Sequence, residues 1–189
     1  DSLSFGDDDA RDIHVDYRGK MLVVGSSLTA NNFFDFVLLS YNPDGSKDRT
    51  FGKEGKATVD FKGSADYANT IAIQADGKIL IAGYTKGSDK VFAIARFLPN
   101  GALDHSFGDK GRVVTDFKTY QFPRSGEESL QEEMFGSKSD DVINDIDIRS
   151  DGRIVVAGYA TGGVVRKFAL AKYLPNGQLD TSFGKSGKL

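Results

Sequence analysis

A chain that carries nearly the same phrase three times, at intervals longer than a solenoid turn and shorter than a domain, is confined to stacked or radial repeats. One unit of that size cannot bury its own apolar faces. The phrase is Leu98-Pro99-Asn100-Gly101-Ala102-Leu103-Asp104-His105-Ser106-Phe107-Gly108-Asp109-Lys110-Gly111, and it recurs at 42–55 and 174–187. Gly45 and Gly101 are 56 residues apart and Gly101 and Gly177 are 76, so the second interval holds an insertion.

Each phrase follows an apolar run, at 36–41, 92–97 and 168–173. Upstream of the second and third lie Thr70-Ile71-Ala72-Ile73 and Ile79-Leu80-Ile81-Ala82-Gly83, then Ile146-Asp147-Ile148 and Ile154-Val155-Val156-Ala157-Gly158. The words joining them, Asp76-Gly77 and Asp151-Gly152, predict a tight hairpin turn with positive φ at both central residues. After the Phe-Gly words come Lys56-Ala57-Thr58-Val59-Asp60-Phe61 and Arg112-Val113-Val114-Thr115-Asp116-Phe117, a fourth strand. The second and third strands of a unit are apolar almost throughout, as expected of strands covered on both faces. The expected fold is all-β, three four-stranded blade units of a β-propeller, forming an incomplete ring or part of a larger assembly.

Asp-Gly-Lys-Ile followed by Ala-Gly-Tyr, an apolar strand, and Leu-Pro-Asn-Gly-x-Leu-Asp-x-Ser-Phe-Gly-x-x-Gly resembles the bacterial delta-60 repeat, whose units are similar to propeller blades. The resemblance covers most of the chain. It implies an exported bacterial protein, extracellular, at the cell surface or periplasmic, and it implies no particular activity. The first unit departs from the pattern, with Arg18-Gly19 at its hairpin turn and Lys47 in place of Leu103 and Leu179. That predicts a differently solvated outer edge.

Leu3-Ser4-Phe5-Gly6 echoes the phrase. Residues 1–12 therefore read as the remnant of a preceding unit, 13–62 as the first unit and 63–118 as the second. Residues 119–141 are an acidic insertion, and 142–189 are a third unit lacking most of its last strand. The start at Asp1, without a methionine or an apolar signal core, fits a processed protein or an excised piece. Propellers close with about four to eight blades. The expected partners are thus other blades of a longer chain, a second copy, or a partner protein that covers the end blades and their strand edges.

With 189 residues, 39% of them apolar, the chain can bury a sizeable core. A net charge of −3 supplies no basic field for a nucleic-acid partner. No stretch reaches the roughly 18 apolar residues of a membrane helix, which argues against membrane insertion. Without cysteine, disulfide and thiolate chemistry are excluded.

Asp104-His105-Ser106 has the residue types of a hydrolase triad, but its counterparts are Asp48-Arg49-Thr50 and Asp180-Thr181-Ser182. Neighbours on an extended chain point apart. The expectation is no catalytic residue, and Asp48, Asp104 and Asp180 are read as caps for loop N–H groups. Each loop has too few carboxylates for calcium, so no metal or cofactor is expected. Asp7, Asp8, Asp9 and Asp12 read as a solvated terminus. Phe51, Phe107 and Phe183 read as loop anchors.

The insertion is the one segment the repeat does not explain. Added loops on rigid scaffolds are where binding is grafted, so Tyr120, Phe122, Arg124, Glu132, Met134 and Phe135 are the candidate binding residues. The function expected is a non-catalytic scaffold or protein-interaction module. The alternatives are a carbohydrate- or other ligand-binding propeller using Tyr84, Tyr159 and the insertion, and an enzyme with its site on blade loops of a completed ring.

Overall fold

A computed structural model describes residues 7–30, 32–62, 65–117, 140–162 and 165–189, and among these every regular element is a strand. The first sheet is an antiparallel meander of β1 (Asp8–Val15), β2 (Met21–Leu28), β3 (Phe34–Tyr41) and β4 (Lys56–Val59). The second repeats it with β5 (Ala65–Ile73), β6 (Ile79–Lys86), β7 (Lys90–Phe97) and β8 (Arg112–Thr115). The third holds β9 (Asp141–Ile148), β10 (Ile154–Gly162) and β11 (Val165–Tyr173). Leu189 exchanges two 2.9 Å backbone hydrogen bonds with Leu170, where a fourth strand of this sheet would pair.

The three sheets stack face to face in chain order. Ile79 and Ile81 of β6 pack with Val24, Phe36, Leu38 and Val59 of the first sheet, while Leu80 and Ala82 pack with Ile143, Ile154 and Val156 of the third. A strand with an apolar neighbour on each side needs no polar face, which is why β6 and β7 do not alternate.

Each innermost strand begins earlier than its apolar residues suggest, at Asp8, Ala65 and Asp141. A bulge at Arg11, Asn69 and Asn144 interrupts the two-residue alternation, so the polar residues before it do not look like strand. The bulge also explains the glycine opposite it on the second strand. A Cβ on Gly25, Gly83 or Gly158 would lie 1.8, 2.0 or 1.9 Å from a carbonyl oxygen of the bulged strand, so no side chain fits.

The hairpin turns correct one expectation. Only the glycine has positive φ, 80° at Gly77 and 77° at Gly152, and the preceding aspartate does not. Gly77 donates to Gln74 and Gln74 to Lys78, which makes a type I turn followed by a left-handed residue. The aspartate instead accepts a backbone N–H two residues on, from Lys78 to Asp76 and from Arg153 to Asp151. That Asx contact replaces the need for positive φ at the aspartate. Arg18-Gly19 makes the same turn, with Asp16 accepting from Arg18.

The repeated phrases interlock between blades. Gly52 donates to Asn100 O at 2.8 Å and Gly108 to Asn176 O at 2.9 Å. Beside these bonds, Gly101 lies on the Phe51 ring and Gly177 on the Phe107 ring, each so close that a Cβ would sit 2.8–2.9 Å from ring carbons. Gly45 has nearly the same φ as Gly101, 83° against 84°, but nothing lies within 4 Å of its Cβ position. Gly45→Ala therefore isolates the left-handed backbone penalty, about 1 kcal/mol. Gly101→Ala adds overpacking against Phe51 and costs about 3 kcal/mol in total. Urea unfolding of the two variants checks the difference, and equal losses would refute the interlock as a source of stability.

Candidate functional site

The carboxylates of the repeated phrase are structural. Asp48, Asp104 and Asp180 each accept a backbone N–H two residues on, from Thr50, Ser106 and Ser182 at 3.0–3.2 Å, as the sequence predicts. The hydroxyl of the same residue also donates to the aspartate, at 2.5–2.6 Å. A cation completes each loop: Lys20 on Asp48 at 2.6 Å, Arg96 on Asp104 at 2.8 Å, and Lys172 and Arg153 on Asp180 at 3.2 Å. The Lys20 and Thr50 contacts hold Asp48 down at about 2, and the Ser182 and Lys172 contacts do the same for Asp180. Burial opposes the effect at Asp104, yet Ser106 and Arg96 keep it below the usual range. Ser106 gives its hydroxyl to Asp104, while His105 is exposed, so this triplet is not arranged as a triad.

A second set of carboxylates sits where one blade hands the chain to the next. Asp66 accepts from Phe61 N and Asp141 from Phe117 N, both at 2.7 Å, and both side chains are fully buried. The Phe61 ring packs tilted against Phe36 and that of Phe117 against Phe92, with centroids 5.0 Å apart and ring planes at 59° in each pair. Burial pushes Asp66 up to about 6 and Asp141 to about 7. Neither was singled out from sequence, because the spacing from phenylalanine to aspartate is 5 residues in one case and 24 in the other.

The acidic run near the start is solvated at Asp7, Asp8 and Asp9, as read, but it is ordered as strand rather than a loose terminus. Asp8, Asp9 and Asp12 belong to β1, because an edge strand pairs through its backbone and tolerates polar side chains. Asp9 pairs with Arg11 at 2.5 Å, and Asp12 accepts Ile71 N of the next blade at 3.0 Å. The Thr70 hydroxyl lies 3.2 Å from Asp12 and 3.4 Å from Asp145, so the innermost strands of all three blades meet there.

Tyr84 is half-buried in a ladder with Tyr67 and Phe34, at centroid spacings of 5.0 and 5.2 Å, and Tyr159 lies under Arg166. Burial, with Tyr67 and Tyr159 nearby, pushes the Tyr84 phenol up. Tyr120, Phe122, Arg124, Glu132, Met134 and Phe135 lie outside the described residues.

Among the described residues, the surfaces left without a counterpart are the two outer faces of the stack. Phe168 holds the position of Phe36 and Phe92 in the repeat; their rings are 0% exposed and Phe168 is 90% exposed. Beside it is an open groove of about 460 Å³ lined by Asn144, Tyr159, Arg166 and Lys167. At the other end Ile13 is 53% exposed, whereas its counterpart Ile71 is 9% exposed under the first blade. The phrase shows the same asymmetry. Phe51 and Phe107 are buried under the next blade's glycine, but Phe183 is only half-buried. The sequence signal for these faces was the alignment of Phe36, Phe92 and Phe168 itself.

Residues 19–51, 74–107 and 149–183 match a family described as a domain of unknown function (DUF5122) beta-propeller, and together they make up more than half of the chain. The matched segments run from the second strand's turn through the phrase in each blade. No curated protein matches the chain.

The carboxylates give stability an acid-side maximum. Asp66 and Asp141 titrate higher folded than unfolded, so their contribution is complete below about pH 4 and is lost as pH rises through 6 to 7. Asp48 and Asp180 titrate lower folded, so theirs is complete above about pH 4 and lost toward 2. In EDTA, calorimetry will show Tm higher at about pH 5 than at about pH 8, and Asp141→Asn will flatten that fall. A Tm that rises across the same interval would contradict the buried-carboxylate assignment.

Proposed function

The chain belongs to the DUF5122 β-propeller family, and on that premise we propose that it is a non-catalytic scaffold or protein-interaction module whose outer faces are completed by further blades. One observation carries this reading: the face around Phe168 exposes what Phe36 and Phe92 bury, and the opposite face, around Ile13, exposes what Ile71 buries. The two faces correspond to the two sides of an interface that the molecule already makes twice. A blade built to the same pattern, from a longer chain, a second copy or a partner protein, fits either face. Head-to-tail contacts of this kind use different surfaces on the two sides and extend until the ring closes.

The loop geometry supports a structural role for the repeated phrase, since each of its aspartates takes a backbone N–H, a hydroxyl and a nearby cation from the blade itself. We further take the repeats to be of the delta-60 kind, and the protein to be bacterial and to work outside the cytoplasm, in keeping with the resemblance of its repeated words.

Light scattering tests the reading. The expected mass rises above 20.5 kDa with concentration, and Phe168→Asp, which charges one open face, returns it to 20.5 kDa. A cooperative monomer of 20.5 kDa at every concentration, with or without the substitution, would remove the case for completion by further blades.

A further inference from the structure

The two blade junctions are built alike except at one corner. Where the first blade passes the chain to the second, Asp35, Asp60 and Asp66 each place an oxygen within 4.8 Å of the others. Asp66 is fully buried, Asp35 half-buried and Asp60 exposed. Asp66 Oδ2 accepts from Phe61 N, but buried Asp66 Oδ1 has no hydrogen-bond partner. Thr85, directly across from Asp66 in the β5–β6 register and 6% exposed, also has a buried hydroxyl oxygen without a hydrogen-bond partner. Its hydroxyl approaches Asp66 without the geometry of a hydrogen bond.

Two unpartnered buried oxygens beside two further carboxylates are poorly served by solvent or by one another. We propose that this corner is a binding site for one hard divalent cation, of the calcium class, held by Asp35, Asp60 and Asp66 with Thr85 at its inner wall. Calcium takes oxygens at about 2.3–2.6 Å, so its ligands stand no more than about 5 Å apart, and the three oxygens here lie within 4.8 Å of one another. The remaining coordination is open toward solvent on the side of Asp60.

The second junction serves as an internal control. Asp141 and Asp116 stand in the places of Asp66 and Asp60, but Val91 replaces Asp35 and Ala160 replaces Thr85. It retains the phenylalanine-to-aspartate hydrogen bond, and Asp141 Oδ1, like Asp66 Oδ1, is buried without a hydrogen-bond partner; what it lacks is a carboxylate at the Asp35 position and a hydroxyl at the Thr85 position, although Asp140 acts on Asp141 from nearby. Among the described residues this is the one such cluster, and occupancy would tie the first blade to the second through Asp35 and Asp66.

The test uses the whole chain, stripped with EDTA and returned to metal-free buffer. Calorimetric titration with CaCl2 alone is expected to show one ion per chain, and calcium at about 100 times its Kd is expected to raise Tm by roughly 5–10 °C. Asp35→Val, which gives the first junction the residue of the second, is expected to abolish both the heat and the shift while leaving the calcium-free Tm equal or higher. Asp35→Asn serves the same purpose should the valine variant fold poorly. Glu54→Gln, on the exposed loop pair with Arg49, is expected to change neither. No saturable heat, a shift that survives substitution of Asp35, or a stronger response to MgCl2 than to CaCl2 would overturn the assignment. The readout is separate from assembly, because the ligands lie within a single chain and the light-scattering mass need not change.

Discussion

The structure depends on contacts that run from one blade to the next. A phenylalanine ring at the end of one phrase lies under the glycine of the following phrase, and the adjacent glycine N–H reaches across to its asparagine carbonyl. Nearer the axis, Asn69 donates its side chain to Ile143 O at 2.7 Å, and Ala68 N reaches the Ser26 hydroxyl at 3.2 Å. Between these polar contacts the sheet faces bury Val24, Phe36, Leu38, Ile79 and Ile81 on one side of the middle blade and Leu80, Ile94, Ile143 and Val156 on the other. Stability in such a stack is a sum of blade and nearest-neighbour terms. The phrase recurs because each copy must fit both its own blade and the next one.

The same dependence governs the ends. A middle blade satisfies both faces, whereas an end blade presents a face with the composition of an interior. Phe168 at 90% exposure is a residue whose two counterparts are core.

Much of this was legible because repetition converts sequence into alignment. Four strands per unit and the capping aspartates follow from reading three copies together. What escaped notice did so for local physical reasons. The bulges at Arg11, Asn69 and Asn144 break the period that reveals a strand, so each inner strand seemed shorter than it is. The hairpin turns use an aspartate side chain as acceptor, and Asp-Gly does not distinguish that turn from one with two left-handed residues. Asp66 and Asp141 are equivalent in space, but the insertion between Phe117 and Asp141 hides the equivalence in the chain. Asp35 is a departure from the repeat, replaced by Val91 and Lys167 in the other blades, and a departure acquires meaning only once the fold shows its neighbours.

The buried aspartate at each junction follows from the backbone it serves. When the outer strand ends and the chain crosses to the next inner strand, Phe61 and Phe117 turn inward to pack against Phe36 and Phe92, which carries their N–H groups away from water. An unmatched buried N–H costs about 1–3 kcal/mol, and the acceptor here is a side chain rather than a strand. An aspartate from the following blade accepts it, but the second carboxylate oxygen is then buried too, which raises the pKa at both junctions. A neutral carboxyl resolves that tension with a proton, and a bound cation resolves it with charge. Ala160 beside Asp141 leaves only the first route, whereas Asp35 and Thr85 beside Asp66 open the second. One backbone requirement, repeated twice, thus arrives at two different electrostatic solutions according to the residues that surround it.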